Sequence, residues 1–154
     1  MEFNEVIKTK IKMKKLFEGT TVPTYGTAYS AGADLYAVLD APVTIAPNKP
    51  KVIPTGVACE IPVGLVGVVC ARSGLSCKQD LAPANKVGII DADYYYSQNE
   101  GHIFIKLTND SNEGKTLTVP TGQGFAQGIF LPFGITEDDE VTEIRNGGFG
   151  STTK

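Results

Sequence analysis

The sequence contains few of the residues that enzymes commonly use as metal ligands or as partners of a nucleophile. It has one histidine, His102, and three cysteines, Cys59, Cys70 and Cys77, which lack the spacing of a metal-ligand pair. A histidine-based triad and a multi-histidine metal centre are therefore not expected. Reduced thiols in a cytoplasmic protein are the simplest explanation of the cysteines. His102 fits an ordinary surface or hydrogen-bonded histidine better than a catalyst.

Long apolar runs and an excess of positive charge are also missing. No stretch of about 18 apolar residues and no signal-peptide pattern occurs, so we expect a soluble protein without a membrane partner. The formal net charge of -3 argues against a general nucleic-acid-binding protein. The length of 154 residues is sufficient for one domain whose core needs no disulfides.

Short strands joined by turns are predicted for most of the chain, because its 17 glycines and 9 prolines are spread evenly. A short helical turn is expected over residues 77–81. Because the pattern shows no convincing long helix, it predicts an all-β domain with a closed or sandwiched antiparallel architecture. Alternating or apolar segments predict strands over residues 7–13, 50–61, 65–70, 102–108, 116–119 and 124–130.

Two acids and three tyrosines follow the apolar residues 87–90, which are typical of the end of a buried strand. Asp91 and Asp93 are two residues apart, so on an extended chain their carboxylates point the same way. Beside Tyr94 they suit a site that stacks a flat ligand and activates water. An acidic turn between strands explains the same residues, and this segment alone does not separate the two interpretations.

Other polar positions suit an anionic ligand. Arg72, Ser73 and Gly74 place a permanent cation, a hydroxyl and an approachable amide side by side, as a phosphate site requires. Gln127 lies among small and apolar residues, where its amide either satisfies buried backbone groups or contacts a ligand. Asp34 is either a turn former or the partner of a cation.

Residues 145–154 cannot form a core element, because their glycines make them costly to order. They fit either a disordered tail or a lid that is mobile until a polyphosphate binds. The spacing differs from that of a Walker A loop. In the lid interpretation Phe149 stacks on a base, and the phosphates are wrapped by Arg145, Gly150, Ser151 and Thr152.

These segments resemble, in order and separation, the five motifs of the trimeric dUTP pyrophosphatase (dUTPase) family. The resemblance extends from about Ile11 to the C-terminus. It implies a jelly-roll-like β-barrel over residues 1–144 and a flexible tail, 145–154, that closes over the active site. It also implies a homotrimer with shared active sites, and hydrolysis of dUTP to dUMP and pyrophosphate with Mg²⁺. The motifs are residues 31–36, 72–75, 85–94, 124–127 and 145–152.

The resemblance implies a role for each motif residue. Asp91 would orient and deprotonate the water that attacks in line at the α-phosphorus. Tyr94 would lie under the deoxyribose and exclude a 2′-hydroxyl, and Asn85 with neighbouring backbone would recognise the uracil edge. Asp34 would reach the metal through a water, and no side chain would be a direct ligand. The phosphate contacts would come from Arg72, Ser73, Gly74 and Gln127, with the tail residues closing the site.

Three positions depart from the usual family pattern. Gly124 stands where the fourth motif usually carries an arginine, so one expected ion pair is missing. Ala71 replaces the proline that usually precedes the arginine of the second motif. The inserted residues 95–100 lengthen the usual Tyr-x-Gly after Tyr94, where they would reshape the rim of the site and make Tyr96 a minor alternative to Tyr94.

Other functions are also compatible with these motifs. A dCTP deaminase-like enzyme would share the fold and some phosphate contacts, but that family lacks the Phe149 lid and usually has Arg-Ser-Ser in its second motif. A regulatory protein that binds dUTP as a switch would keep the same site. A purely structural jelly roll would have no reason to keep Asp91, Arg72 and the tail together.

Overall fold

A computed structural model describes residues 11–119 and 121–150. Most of the regular structure in these residues is β-strand, which confirms the predicted all-β class. The helices are α1 (Ser73–Gln79) and a 3₁₀ helix (Ala92–Tyr96). The strands are β1 (Lys12–Lys15), β2 (Thr24–Tyr25), β3 (Ala33–Tyr36), β4 (Val43–Ile45), β5 (Lys51–Pro54), β6 (Val57–Glu60), β7 (Leu65–Ala71), β8 (Leu81–Pro83), β9 (Gly88–Ile90), β10 (Phe104–Asn109), β11 (Leu117–Val119) and β12 (Gly124–Pro132).

The strands pair antiparallel throughout the described residues. The largest sheet has the order β2-β3-β12-β7-β9, and a second sheet has the order β5-β10-β8. Two strand pairs, β1-β6 and β4-β11, complete the arrangement. Apart from β2 and β3, the strands that pair in these sheets are not consecutive in sequence, so the chain crosses repeatedly from sheet to sheet in a jelly-roll-like manner, as expected.

One apolar core lies between the sheets, and Phe125 is its largest fully buried side chain. The alternation along β10 produces part of this core: Ile105 and Leu107 are buried, whereas Lys106 between them is exposed. Each such apolar side chain contributes about 1.5–3 kcal/mol when it leaves water. The period-two pattern of this segment therefore predicted both the strand and its buried face correctly.

The predicted strand over residues 50–61 is interrupted at Thr55 and Gly56, which lie between β5 and β6. The Gly56 φ of +70° lies in the left-handed region, and an added Cβ would lie 2.4 Å from Thr20 Oγ1 and 2.7 Å from Val38 Cγ2. Only glycine fits this conformation and this close approach.

Near the N-terminus, the predicted strand 7–13 is described only from Ile11 onward, where β1 runs over Lys12–Lys15.

The helix predicted over residues 77–81 begins earlier, at Ser73. Leu75 is buried in the core and fixes the first turn on the barrel. The helix ends at Asp80, whose φ of 55° is left-handed and whose N–H bonds the carbonyls of Leu75 and Ser76. The earlier start brings Ser73 and Gly74 into the first turn of the helix.

The segment 87–90 is an edge strand, and the prediction of a buried strand is wrong. β9 pairs with β7 on one side only, and Ile89 is 60% exposed. The chain also does not stay extended through both acids. Asp91 has extended backbone and precedes the 3₁₀ helix, with the Tyr94 N–H bonded to the Asp91 carbonyl at 3.1 Å. Asp93 therefore lies on a helical turn.

Neither helix in residues 11–119 and 121–150 has the length and apolar character needed to cross a membrane. The three cysteines are free thiols, as predicted. Burial raises the pKa of the Cys59 thiol to about 12, so this cysteine is almost entirely protonated, and therefore unreactive, near neutral pH.

His102 is a buried, hydrogen-bonded residue of the barrel. It is only 6% exposed, and its Nε2 accepts the N–H of Gly56 at 2.9 Å. Its ring packs on Phe104 and Phe17, with centroids 4.0 and 5.3 Å away. Burial lowers the pKa of His102 below its ordinary value of 6.5, so the folded chain keeps this side chain neutral.

This environment predicts a loss of stability in mild acid. Between the lowered pKa of His102 and 6.5, the unfolded chain binds a proton that the folded chain does not, so stability falls as the pH falls. The slope is at most about 1.4 kcal/mol per pH unit for one proton. Denaturant unfolding at pH 7.5 and 5.5 measures it, with His102→Gln as the non-titrating control. An equal pH dependence in both proteins would contradict the assignment.

Candidate active site

Two groups of polar side chains lie on the largest sheet. We call the first the arginine cluster, which consists of Asp34, Arg72, Gly124 and Gln127. We call the second the acid cluster, which consists of Asp91, Asp93, Tyr94 and Arg145. Each group is assembled by strand pairing, because β3, β12 and β7 are adjacent in the sheet and β9 adds its own residues at the edge.

The arginine cluster is held by one guanidinium. Arg72 Nε lies 3.0 Å from Asp34 Oδ1, and Arg72 Nη1 donates to the Gly124 carbonyl at 2.9 Å. Of the two interpretations of Asp34, the structure favours the partner of a cation. Although the usual arginine is missing at Gly124, the backbone there supplies a hydrogen-bond acceptor to Arg72.

Gln127 contacts the backbone in the same cluster. Its Nε2 donates to the Ala71 carbonyl at 2.9 Å. Its Oε1 lies so close to Gly32 that a Cβ added there would be only 2.1 Å from this oxygen. Beside it, Ser73 and Gly74 are the first two residues of α1, whose amides have no partner within the helix, whereas the next amide, that of Leu75, bonds the Arg72 carbonyl. A Cβ on Gly74 would meet nothing within 4 Å, so this backbone is open to a ligand.

The acid cluster joins the 3₁₀ helix to the tail. The Arg145 guanidinium forms an ion pair with Asp91, and its Nε lies 3.5 Å from Asp93 Oδ1. The backbone N–H of Arg145 donates to Asp93 Oδ2 at 2.9 Å. These groups are partly exposed, so each ion pair contributes about 1 kcal/mol or less. The tail is therefore docked weakly.

A cavity of about 410 Å³ lies beside the acid cluster, a size typical of small-ligand sites. Asn85 and Tyr94 line it together with the edges of β9 and β10, and Arg145 and Phe149 of the tail close one side. Phe149 is 72% exposed, so one face of its ring is open. Gly148 crosses the Tyr94 ring so closely that a Cβ would lie 3.0 Å from Tyr94 Cε2.

The two clusters lie at opposite ends of one strand pair. Gly67 of β7 pairs with Ile90 of β9, so Asp91 is level with Val66 at the beginning of β7. Arg72 follows the other end of β7, and the strand between Val66 and Arg72 extends about 20 Å. One phosphate group cannot contact both Arg72 and Asp91 of the same chain.

The resemblance implies active sites shared between subunits, and contacts within a single chain leave that implication a prediction. In this chain Arg145 contacts Asp91 and Asp93 of its own chain. Residues 133–144 explain this contact, since they connect the end of β12 to the edge of β9. Ser151 and Thr152 lie outside the described residues, whereas Gly150 is described.

Asp93, Asn99 and His102 support this site in ways that the sequence did not predict. Asp93 holds the tail, and the only sequence signal for it was its spacing from Asp91. Asn99 donates to the Tyr94 hydroxyl, which itself donates to the His102 carbonyl. The inserted loop was the signal for Asn99. Tyr96, the alternative to Tyr94, is exposed and does not line the cavity.

The residues present fit a metal that is held mainly by a ligand. In the described part of the chain, no group of three or more His, Cys, Asp or Glu side chains could hold a metal ion. Mg²⁺ typically keeps several waters and uses one or two carboxylates with substrate phosphates. Asp34 fits this arrangement, because one carboxylate oxygen faces Arg72 and the other can contact a metal-bound water.

Comparison with known proteins places the chain in one family. The dUTPase family model matches residues 18–153. A deoxyuridine 5'-triphosphate nucleotidohydrolase of Desulfitobacterium hafniense is 42% identical over 152 residues, which cover 95% of this chain and 96% of the relative. The enzyme of that name from Tolumonas auensis is 38% identical over the same shares of both chains.

Solved structures agree with the sequence comparison. The crystal structure of dUTPase from Streptococcus mutans matches with a TM-score of 0.72 and 32% identity, over 82% of this chain and 98% of that one. A dUTPase from phage phi11 of Staphylococcus aureus, described for its coordination of a structural Mg(II) ion, matches with a TM-score of 0.71 and 26% identity, over 88% and 98% of the two chains. The chain belongs to the dUTPase family.

Removing one charge should loosen the tail. Asp93→Asn keeps an acceptor for the Arg145 N–H but removes the carboxylate facing Arg145 Nε. We expect amide exchange in residues 145–150 to accelerate about two- to fivefold, as loss of a partly exposed ion pair allows. Hydrogen exchange measured by mass spectrometry tests this, with the exposed Asp138→Asn as the matched control. Equal exchange in Asp93→Asn and wild type would remove Asp93 as the tail anchor.

Proposed function

We propose that this protein is a dUTP pyrophosphatase that hydrolyses dUTP to dUMP and pyrophosphate by in-line attack of water at the α-phosphorus. One observation supports this most strongly. The cavity has an amide, Asn85, at one wall and a tyrosine ring, Tyr94, at another. Asp91 follows the cavity-lining residue Ile90 and is ion-paired to a second lining residue, Arg145. A bound nucleotide would need an amide at its base, an aromatic ring at its sugar and a carboxylate at the attacking water, and Asn85, Tyr94 and Asp91 are arranged in that order.

The nucleoside occupies the cavity in this proposal. Asn85 and the exposed backbone of β9 supply fixed donors and acceptors for the uracil edge, and a wrong base leaves them unpaired. Rejection of roughly 10⁴-fold is attainable in this way. The Tyr94 ring lies under the deoxyribose and leaves no room for a 2′-hydroxyl.

Asp91 aligns the attacking water and accepts its proton. Because the Asp91 carboxylate is paired with Arg145 in the free chain, a bound nucleotide has to draw Arg145 toward its phosphates before the water can take that place. The buried Arg145 Nε supports this step, since it has no hydrogen-bond acceptor among the described residues. A phosphate oxygen would provide one.

The phosphate chain is held by Arg72, Ser73, Gly74 and Gln127. Arg72 contributes a permanent cation, while the first turn of α1 contributes free amides. Bound Mg²⁺ would supply charge neutralisation on the phosphates, with Asp34 contacting it through water. The protein's own part is to position the triphosphate and to stabilise the charge that develops on the leaving pyrophosphate.

The site is completed by a second chain of a homotrimer. The arginine cluster and the acid cluster lie about 20 Å apart along β7, yet the α-phosphate must be near both. Clusters from neighbouring subunits would meet around one nucleotide in a closed symmetric assembly. The tail 145–154, including Phe149, Gly150, Ser151 and Thr152, then closes over the ligand. Free cysteines fit a cytoplasmic location for this enzyme.

The activity is tested by incubating the protein with each dNTP and Mg²⁺ and measuring pyrophosphate. Release from dUTP alone is expected. Bound but intact dUTP would instead identify a regulatory dUTP-binding protein, and ammonia released from dCTP would identify a deaminase.

Asp91→Asn tests the proposed base. The amide keeps the shape of the carboxylate but cannot accept the proton, so kcat should fall 10²-fold or more, the typical contribution of a general base. Binding of a non-hydrolysable dUTP analogue should change by less than about threefold. The exposed Asp40→Asn is the control and should retain full turnover. Wild-type turnover in Asp91→Asn would show that Asp91 is only a turn residue.

Mixed trimers test the shared site. Arg72→Ala and Asp91→Asn should each be inactive, because each chain lacks one cluster. When the two variants are co-expressed, a site built from two chains receives both intact clusters in about one case in four. Activity should therefore return to about a quarter of wild type.

The mixing experiment has its own control and also assigns the tail. Mass measurement has to confirm mixed trimers, and a mixture as inactive as its parents would then contradict the shared site. Replacing Arg72→Ala by a chain truncated after Ile144 tests the tail separately. Activity should return to about a quarter of wild type in that mixture if acid and tail come from different chains, as the family resemblance implies. It should not return if the contact between Arg145 and Asp91 of one chain persists in the trimer.

A further inference from the structure

The inserted loop 95–100 is folded as a series of tight turns. The Ser97 N–H bonds the Tyr94 carbonyl at 3.1 Å, and the Glu100 N–H bonds the Ser97 carbonyl at 2.9 Å. The loop returns over its own beginning at Gly101, where a Cβ would lie 2.7 Å from the Tyr95 Cα and the φ is +72°. The insertion is therefore a compact structure packed beside Tyr94.

One side chain of this loop, Asn99, contacts the Tyr94 hydroxyl together with the backbone of His102. That hydroxyl donates to the His102 carbonyl at 2.6 Å and accepts from Asn99 Nδ2 at 2.9 Å. Asn99 Nδ2 also approaches the His102 carbonyl at 3.3 Å. One donor and one acceptor position of the tyrosine are thus occupied by protein, so its contribution to a ligand comes from the ring.

Two further contacts fix the partners of Tyr94. The Ser97 hydroxyl, which is buried, lies 2.7 Å from Asn99 Oδ1 and orients the amide so that its NH₂ faces the tyrosine. On the other side, His102 is tied to the barrel, because its Nε2 accepts the Gly56 N–H. The Tyr94 hydroxyl is therefore held between the inserted loop and a rigid part of the core.

We propose that Asn99 is a positioning residue that holds the Tyr94 ring in place and thereby sets the discrimination between deoxyribose and ribose. This inference depends on the proposed function, in which the Tyr94 ring lies under the sugar. A ring anchored at both its backbone and its hydroxyl cannot move away from a 2′-hydroxyl. Without Asn99 the hydroxyl keeps only its bond to the His102 carbonyl, so the ring can tilt about that one contact and accept a 2′-hydroxyl.

Asn99→Asp is the most direct test, because it keeps the size and the acceptor for Ser97 while removing the NH₂ group. We expect kcat/KM for dUTP to change less than about threefold and kcat/KM for UTP to rise. The dUTP/UTP ratio should fall about five- to tenfold, which corresponds to the loss of one hydrogen bond. The exposed Gln98→Ala in the same loop should leave the ratio unchanged.

A double-mutant cycle separates positioning from a merely structural role. Tyr94→Phe keeps the ring but removes the hydroxyl, so Asn99→Ala should no longer alter the dUTP/UTP ratio in that background. A loop residue that only supports folding would lower the activity on both nucleotides equally and would act equally with Tyr94 or Phe at position 94. That result would overturn the proposal, as would an unchanged ratio in a folded Asn99→Asp protein.

The outcomes distinguish this inference from the proposed function. If wild-type protein fails to hydrolyse dUTP, the proposed function itself is wrong. If wild type hydrolyses dUTP with a strong preference over UTP and Asn99→Asp keeps that preference, only the role of Asn99 is wrong. Melting temperatures of all variants identify any protein that fails to fold, and Asn99→Asp then replaces Asn99→Ala in the cycle.

Discussion

The pairing of β7 with two neighbours is the constraint on which the site depends. On one side β12 and β3 bring Gln127 and Asp34 to the end of β7 that leads into Arg72. On the other side β9 runs antiparallel and carries Asp91 to the opposite end. In the proposed function a single chain therefore displays two half-sites on one sheet, and their separation is set by backbone register, which no side-chain rotation can change.

The two half-sites differ in how firmly they are held. The arginine cluster is supported by an ion pair and two hydrogen bonds to backbone carbonyls in the middle of a five-stranded sheet. The acid cluster lies at the sheet edge, and its contact with the tail depends on partly exposed charges. This difference suits a site in which the phosphate-binding part is preformed and the closing part moves.

Local patterns in the sequence predicted what depends on local structure. The alternation around Lys106 predicted β10 and its buried face, because side-chain direction in a strand follows from position alone. Gly56 was missed as a break because the atoms that require a glycine belong to Thr20 and Val38, far away in sequence. The contact of Arg145 with Asp91 was missed because it depends on the path of residues 133–144. The five motifs supplied the family and the candidate residues, but not which of them meet within one chain.

Gly124 leaves the space in which the ion pair between Arg72 and Asp34 is formed. Where a side chain is usual in the family, a Cβ here would stand 3.1 Å from Arg72 Nη1 and 3.3 Å from Asp34 Cβ, so both partners of the ion pair would have to shift. The guanidinium lies beside the space that a larger residue would fill, and it bonds the Gly124 carbonyl. Replacing Gly124 alone by the usual arginine would therefore displace the Arg72 side chain from its present contacts. The residue at position 124 and the position of the Arg72 guanidinium are therefore sterically coupled, so a substitution at one is felt directly at the other.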